Sequence, residues 1–335
     1  MAASNTTAAE TRQASLDNAW LTIAERLSAD SALEDRTLAA ASMAMILASG
    51  NGCSDKILSR VVDGLVAAAV ESPPGADKSK AAALNNNAAS TLEAFVGQTS
   101  NVSPSSFARA LVKQENLDRV FETILKAGDE APSLSTLRSG LTYIALATFL
   151  TTADTPGVAD VAGIIFSEMV KRDCLGMIVS LTQASRDPEL RVRAADILGA
   201  MLSSSAELKK NAVERHVCKE LMENIVCERS TFGVGGDNLG PALAPQMSKE
   251  DQERRQMFDQ YHAASDDLCL TCVGMLLDVD PESAREVVES PAMVGVISKM
   301  MGQGSHMAKV IFQALATSEY KTTLAESMRQ GAQLP

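Results

Sequence analysis

Three short stretches of the sequence contain residue types that can do chemistry, and the first is a pair of thiols. Cys269 and Cys272 have the C-x-x-C spacing that zinc sites and redox-active thiols use. A structural zinc site needs a second ligand pair at comparable spacing, but Cys218 and Cys227 lie nine residues apart. A thioredoxin-like thiol pair would need a βαβ context, which the sequence pattern lacks. We therefore predict that Cys269 and Cys272 are small apolar side chains on a buried helix.

The other two stretches superficially resemble nucleotide and calcium sites. GVGGDNLG at 233–240 lacks the G-K-[ST] ending of a phosphate-binding loop, and no strand is predicted before it. The carboxylates of 278–282 lack the glycine and the distal glutamate of a calcium-binding loop. Asp280-Pro281 is better explained as a helix start, with the aspartate as N-cap and the proline in the first turn. We predict neither a nucleotide site nor a metal site.

The remaining candidates for catalysis are not grouped in the sequence. His216, His262 and His306 show no paired spacing, and no G-x-S-x-G motif is present. No serine or cysteine is paired with a histidine at the spacing of a known catalytic motif. We therefore predict no catalytic residues, no cofactor and no metal ligands.

Composition and charge restrict the classes of partner. The chain has 335 residues and a formal net charge of −12, which disfavours binding to nucleic acid or to an anionic membrane surface. No run of 18 apolar residues occurs, and the polar N-terminus lacks the apolar core of a secretory signal. Six cysteines are too few for a disulfide scaffold. We expect a cytoplasmic protein without membrane insertion that binds a protein or peptide.

The elements that would position any site are short amphipathic helices, most regular over 186–210. Asp187-Pro188 supplies a helix start, and the serines of 203–205 weaken the helix before another begins at Ala206. Ser103-Pro104 similarly predicts a helix start, and the asparagines of 85–87 are interpreted as helix caps. The apolar positions of the 186–210 helix follow a helical period and are Val192, Ala195, Leu198 and Leu202.

The same apolar pattern recurs along the chain. AADILGAML at 194–202 is similar to AASTLEAFV at 88–96, with alanines first and leucine in the fifth place. Recurrence of this kind predicts stacked repeat units, since no single short helix could bury its apolar face alone. The further copies begin at 39, 142, 269 and 307.

These segments resemble a known superfamily. The pattern C-L-x-x-I-V-x-L, D-P-E-L-R-V-R-A-A and E-L-K-K within 169–228, together with 287–326, is similar to armadillo-type repeats or their HEAT relatives. The resemblance implies an all-α, right-handed α-solenoid of about six armadillo/HEAT-like repeat units. A compact helical bundle without an open groove is the alternative.

The predicted domain organisation follows from where this pattern holds. A disordered N-terminal segment covers 1–14, armadillo-like repeats cover 15–228, and C-terminal armadillo-like repeats cover 249–331. Between them, 229–248 is a Gly/Pro-rich insertion loop that we expect to be disordered, with a role in partner binding as the alternative.

Candidate partner-binding residues come from one basic cluster and from the resemblance. The cluster is either a solvated helix face or an anchor for acidic side chains or a C-terminal carboxylate on a partner. In the armadillo family, third helices line a concave groove, which implies a binding surface over 174–183, 217–226 and 293–301, including Asn224. The basic cluster comprises Arg191, Arg193, Lys209, Lys210, Arg215 and Lys219. We single out Arg191, Arg193, Lys219 and Asn224.

The predicted function is that of a non-catalytic protein-interaction scaffold or adaptor that binds a partner segment on the solenoid surface. Two alternatives remain open at this point. One is an armadillo-type co-chaperone for an Hsp70-type or myosin-type client, and the other is an enzyme built on helical repeats.

Overall fold

The computed structural model describes residues 2–71, 76–97, 103–126, 131–152, 161–183, 187–226, 249–317 and 319–331. All regular elements in these ranges are α-helices, and none of the described residues lies in a strand. The protein is therefore all-α, as the sequence predicted. The chain divides into two compact units, Met1–Cys174 (unit 1) and Leu175–Pro335 (unit 2). The division thus falls inside the predicted array 15–228, while the 229–248 segment lies outside the described residues.

Unit 1 contains the first eight helices of the described chain. They are α1 (Ala2–Glu25), α2 (Leu33–Ala48), α3 (Asp55–Val70), α4 (Lys78–Gly97), α5 (Pro104–Leu111), α6 (Gln114–Ile124), α7 (Leu134–Thr152) and α8 (Val161–Lys171). Helix α4 packs against α2, α3 and α7.

Unit 2 contains the remaining helices that the structure describes. They are α9 (Leu175–Leu181), α10 (Pro188–Ser204), α11 (Ala206–Glu214), α12 (Val217–Val226), α13 (Lys249–Leu277), α14 (Pro281–Glu289), α15 (Pro291–Gly302), α16 (His306–Thr317) and α17 (Lys321–Gly331). Helix α13 packs along α10 and also contacts α12 and α16.

Helix starts lie where the sequence places a capping side chain before proline. Ser103 accepts a hydrogen bond from the backbone N–H of Ser106, and Asp187 accepts one from Leu190. Asp280 caps α14 in the same way. These bonds satisfy backbone donors that have no partner within the first helical turn, so the three predicted helix starts are confirmed.

Two predicted features of local structure differ from the fold. The asparagines of 85–87 lie inside α4 rather than at its start, and Asn85 is buried, so the interpretation as caps is wrong. Residues 2–14, predicted as disordered, belong to α1. This segment lacks apolar periodicity but contains five alanines, and alanine favours helix without needing a buried face.

The two units have cores of different composition. Unit 1 buries Trp20, whose ring lies 5.7 Å from that of Phe95, and Phe95 stacks on Phe107 at 5.3 Å. Unit 2 has an aliphatic core that includes Ala195 and Leu198, both fully buried as predicted. Aliphatic side chains on short helices fill such a core when neighbouring helices approach closely, which the alanines permit.

A buried arginine occupies the same place in both units. Arg36 is the fourth residue of α2, and its Nε donates to the carbonyl of Leu27 at 3.2 Å. Arg191 is the fourth residue of α10, and its Nε donates to the carbonyl of Thr182 at 2.6 Å. Each carbonyl lies nine residues before its arginine, just beyond the end of the preceding helix. The arginine therefore satisfies a helix-end carbonyl that would otherwise be buried without a donor.

A second contact repeats four residues after each arginine. Thr91 Oγ1 of α4 lies 3.0 Å from the carbonyl of Ala40 and shares its one hydrogen between this acceptor and the carbonyl of Asn87 in its own helix, at 2.7 Å. Cys272 Sγ of α13 donates to the carbonyl of Ala195 at 3.7 Å. The helix pair α2–α4 in unit 1 is thus joined at the same positions as the pair α10–α13 in unit 2.

Candidate functional site

The structure places Arg191 inside unit 2. Its exposed fraction is 1%, so the expectation that it belongs to a solvated basic face is wrong. The physical reason is a set of acceptors that surrounds the guanidinium, which lets a permanently charged group lie away from water. Sequence periodicity could not reveal these acceptors because they come from other helices.

The guanidinium of Arg191 joins several segments of unit 2. Nη2 lies 2.8 Å from Asp266 Oδ1 and donates to the carbonyl of Asn224 at 3.3 Å. Nη1 lies 3.0 Å from Nδ1 of His262. With the bond to Thr182, one side chain connects the end of α9 and the helices α10, α12 and α13.

Asn224 belongs to the same network. Its side-chain Nδ2 donates to Oγ1 of Thr182 at 3.0 Å, and its carbonyl accepts from Arg191. The side-chain amide of Asn224 therefore holds α12 against the end of α9, and its backbone carbonyl holds α12 to Arg191 of α10. Sequence reasoning missed Asp266 and Thr182, which complete this arrangement.

Arg193 and Lys219 are the two partner-binding candidates that remain accessible. Arg193 has 28% of its side chain exposed and lies 3.4 Å from Glu189 on the same helix. Lys219 is exposed on α12. An ion pair between residues four apart on one helix contributes about 0.2–0.5 kcal/mol, so a carboxylate of a partner can replace it at little cost.

The thiols show no sign of activation. Cys269 and Cys272 are fully buried on α13, as predicted for this C-x-x-C pair. Burial raises the pKa of Cys269 to about 12 and raises that of Cys272 as well. Because the thiolate is the reactive form, these groups are held in the unreactive state at neutral pH.

The structure groups no metal ligands within the part of the chain that it describes. His262 lies in the Arg191 network, whereas His216 and His306 are exposed, so the three histidines do not converge. The glycine-rich stretch 233–240 lies outside the described residues. None of the described helices is both long and apolar enough to cross a bilayer.

The fold and the buried polar network define an all-α protein. No protein-family model and no curated protein sequence matches the chain. Two solved structures, both described as engineered proteins and as Northeast Structural Genomics Consortium targets, are similar to it at 15% sequence identity. One match covers 93% of this chain and 94% of the other with a TM-score of 0.44. The second covers 92% and 86% with a TM-score of 0.22.

Proposed function

We propose that this protein is a non-catalytic, cytoplasmic protein-interaction scaffold or adaptor. Its architecture in this proposal is a right-handed α-solenoid of about six armadillo/HEAT-like repeat units. The observation that carries the proposal is the recurrence of the arginine contact, with Arg36 in unit 1 and Arg191 in unit 2 each bonded to a carbonyl nine residues earlier.

This recurrence supports repeat units because it is tied to the sequence repeat. The copies that begin at 39 and 194 each start three residues after the buried arginine. The copies that begin at 88 and 269 each carry the next recurring contact, through Thr91 and Cys272. Stacked units whose polar groups are used to join helices leave their outer faces available for a partner.

Arg193 and Lys219 are the proposed contacts to that partner. They come from α10 and α12, whose buried sides are fixed through the Arg191 network, so reversing these outer charges should leave the packing intact. Two cations on helices that are held together suit an acidic segment or a C-terminal carboxylate, since charge-assisted hydrogen bonds are the stronger class. Arg191 and Asn224 contribute by positioning these helices.

Affinity purification from the native cell with quantitative mass spectrometry tests this proposal. The wild-type chain is compared with Arg193→Glu/Lys219→Glu and with a matched control, Lys321→Glu/Arg329→Glu, which reverses two exposed charges on α17. We expect a partner that wild type and control retain and that the first variant loses. Equal recovery by all three chains would exclude this surface, and no enrichment over an unrelated helical protein would exclude the scaffold.

Small-angle scattering tests the solenoid separately. An elongated repeat array gives a skewed distribution of interatomic distances with a long tail, whereas a compact bundle gives a symmetric one. Circular dichroism on the same samples confirms that the charge-reversed variants keep their helix content. A symmetric distribution would refute the solenoid while leaving the binding proposal standing.

A further inference from the structure

An open groove of about 730 Å3 lies within unit 2, between α13 and α16. Ligand-binding pockets have volumes of roughly 300–1,000 Å3, so the groove is large enough to hold several side chains of a partner. Helix α13 lines it with Gly274, Met275 and Asp278, and α16 lines it with Met307 and Val310 among others.

The walls of this groove are apolar where a solvated helix surface would be polar. The lining residues of α16 follow the spacing i, i+3, i+4, i+7, and two of them, Val310 and Ala314, are exposed. Val310 has 43% of its surface exposed. Met275 and Met307 face the same space, and methionine adapts its shape to a bound apolar surface. The groove therefore offers apolar area whose burial against a partner is favourable.

A glycine opens the floor of the groove. A Cβ added at Gly274 would lie 3.6 Å from both Ile311 Cγ1 and Met307 Sδ, which is ordinary van der Waals contact. The position therefore tolerates a methyl group, while a longer side chain there would press against Ile311 and Met307, which line the groove. Glycine inside a helix costs about 1 kcal/mol relative to alanine, so its presence leaves space at the expense of helix stability.

One end of the groove is acidic. Asp278 directly follows the end of α13, and Glu319 lines the groove beside Tyr320. The Tyr320 hydroxyl donates to the carbonyl of Pro281 at 2.9 Å, which fixes this end against the start of α14. The last turn of α13 contains no basic residue, so the negative end of its helix dipole adds to the two carboxylates. Lys209 of α11 also lines the groove.

We propose that this groove binds one amphipathic helix of a partner protein, with an apolar face and with Lys or Arg at the end that meets Asp278 and Glu319. A helix fits because it satisfies its own backbone hydrogen bonds, whereas an extended segment would bury unpaired N–H and C=O groups against apolar walls. The basic end complements the carboxylates and the helix dipole. The inference shares with the proposed function only the premise that the chain binds a protein partner.

Fluorescence polarisation with the purified full-length chain tests this inference. The probes are labelled helical peptides of about 16 residues, long enough to form helix when bound, with leucine, methionine or phenylalanine at i, i+3, i+4 and i+7. Each probe is made with lysines in its last turn and, as an isomer, with glutamates there. Because the assay uses synthetic probes, its failure and the failure of partner recovery through Arg193 and Lys219 are separate results.

Two variants and their matched controls identify the site. Gly274→Leu fills the floor, and Gly295→Leu makes the same change at a helical glycine outside the groove, where an added Cβ meets nothing within 4 Å. Asp278→Lys reverses the acidic end, and Glu326→Lys makes the same charge change on α17. Lysine after a helix C-terminus is favourable to the helix dipole, so Asp278→Lys should fold.

The expected result is saturable binding of a lysine-ended probe to wild type, weakened about tenfold or more by Gly274→Leu and severalfold by Asp278→Lys. Both controls should bind as wild type does, and Asp278→Lys should reduce the preference over the glutamate-ended isomer. Equal binding of the two isomers would overturn the basic partner. Binding that Gly274→Leu leaves unchanged, or no saturable binding by any probe, would overturn the groove as the docking site.

Discussion

Replacement of Arg191 by methionine gives the sharpest test of the buried network. The change removes the cation but leaves Asp266, which is 4% exposed, without its ion pair to Arg191. Breaking a buried pair by removing one partner typically costs about 3–5 kcal/mol, whereas an exposed pair contributes only about 0–1 kcal/mol. Against a typical stability of about 5–15 kcal/mol, this loss should be plain in an unfolding curve.

The equivalent arginine in unit 1 supplies a matched comparison. Arg36→Met loses the same bond to a helix-end carbonyl, but the side chain of its partner Glu71 is 29% exposed and can be hydrated. We therefore expect Arg36→Met to cost about 1–2 kcal/mol less than Arg191→Met. The double variant Arg191→Met/Asp266→Leu removes the stranded charge and should recover about 2 kcal/mol or more of the loss.

Urea unfolding followed by far-ultraviolet circular dichroism at pH 7 measures these differences. The free energy of unfolding is compared only between variants whose m-values agree, because a changed m-value signals a changed unfolding reaction. The reasoning is refuted if Arg191→Met lies within about 1 kcal/mol of wild type, as a surface arginine would. It is also refuted if Arg36→Met is the more damaging change, or if the double variant is no more stable than Arg191→Met.

Three further predictions concern packing, pH and reactivity. Gly140→Ala should lower the melting temperature, since its Cβ would lie 2.5 Å from Ile124 Cγ2 and overpacking costs about 1–3 kcal/mol, while Gly199→Ala should raise it through helix propensity. A melting temperature that rises with Gly140→Ala and falls with Gly199→Ala would contradict the packing at these two glycines. Burial raises the pKa of Asp280, but hydrogen bonds from Ser283 outweigh this and leave the pKa below its usual value. The stability that Asp280→Ala loses, about 1 kcal/mol at pH 7, should therefore be present above about pH 4 and disappear as pH falls further. The five described cysteines are buried and should react with a disulfide reagent at pH 8 only after urea is added. The sixth, Cys227, lies outside the described residues, so fast reaction of more than one thiol in the native chain would contradict this prediction.

Much of the helix layout was predictable because local residues determine it. Ser103, Asp187 and Asp280 each precede a proline and each cap a helix, so side chain and backbone act within one turn. The buried positions Ala195 and Leu198 follow from helical periodicity alone. These signals require no knowledge of the rest of the chain.

The burial of Arg191 was not predictable in the same way. The apolar periodicity of α10 predicts which apolar residues are buried but does not predict the burial of a charged residue. The partner His262 lies 71 residues after Arg191 in the sequence. A signal was nevertheless present in the sequence. The repeat copies extend backwards to E-D-R-T-L-A-A at 34–40 and E-L-R-V-R-A-A at 189–195, and an arginine retained at one position of a repeat indicates a shared contact.

The groove was missed for a related reason. Its walls are ordinary apolar residues, and its acidic end is formed by Asp278 and Glu319, which the fold of unit 2 brings to one pocket. Gly274 was the only hint within α13, because a glycine inside a helix often marks a packing or functional requirement.

The Arg191 network also fixes where the chain can vary in length. Its guanidinium holds Asn224 of α12, before residues 227–248, and Asp266, which lies well inside α13 after them, so the two helices on either side of those residues are tied to one point. The entropic cost of closing a chain segment between two held points grows only logarithmically, by about 0.6 kcal/mol for each doubling of its length. Residues can therefore be added between α12 and α13, even as a whole inserted domain, while the helices on either side keep their places.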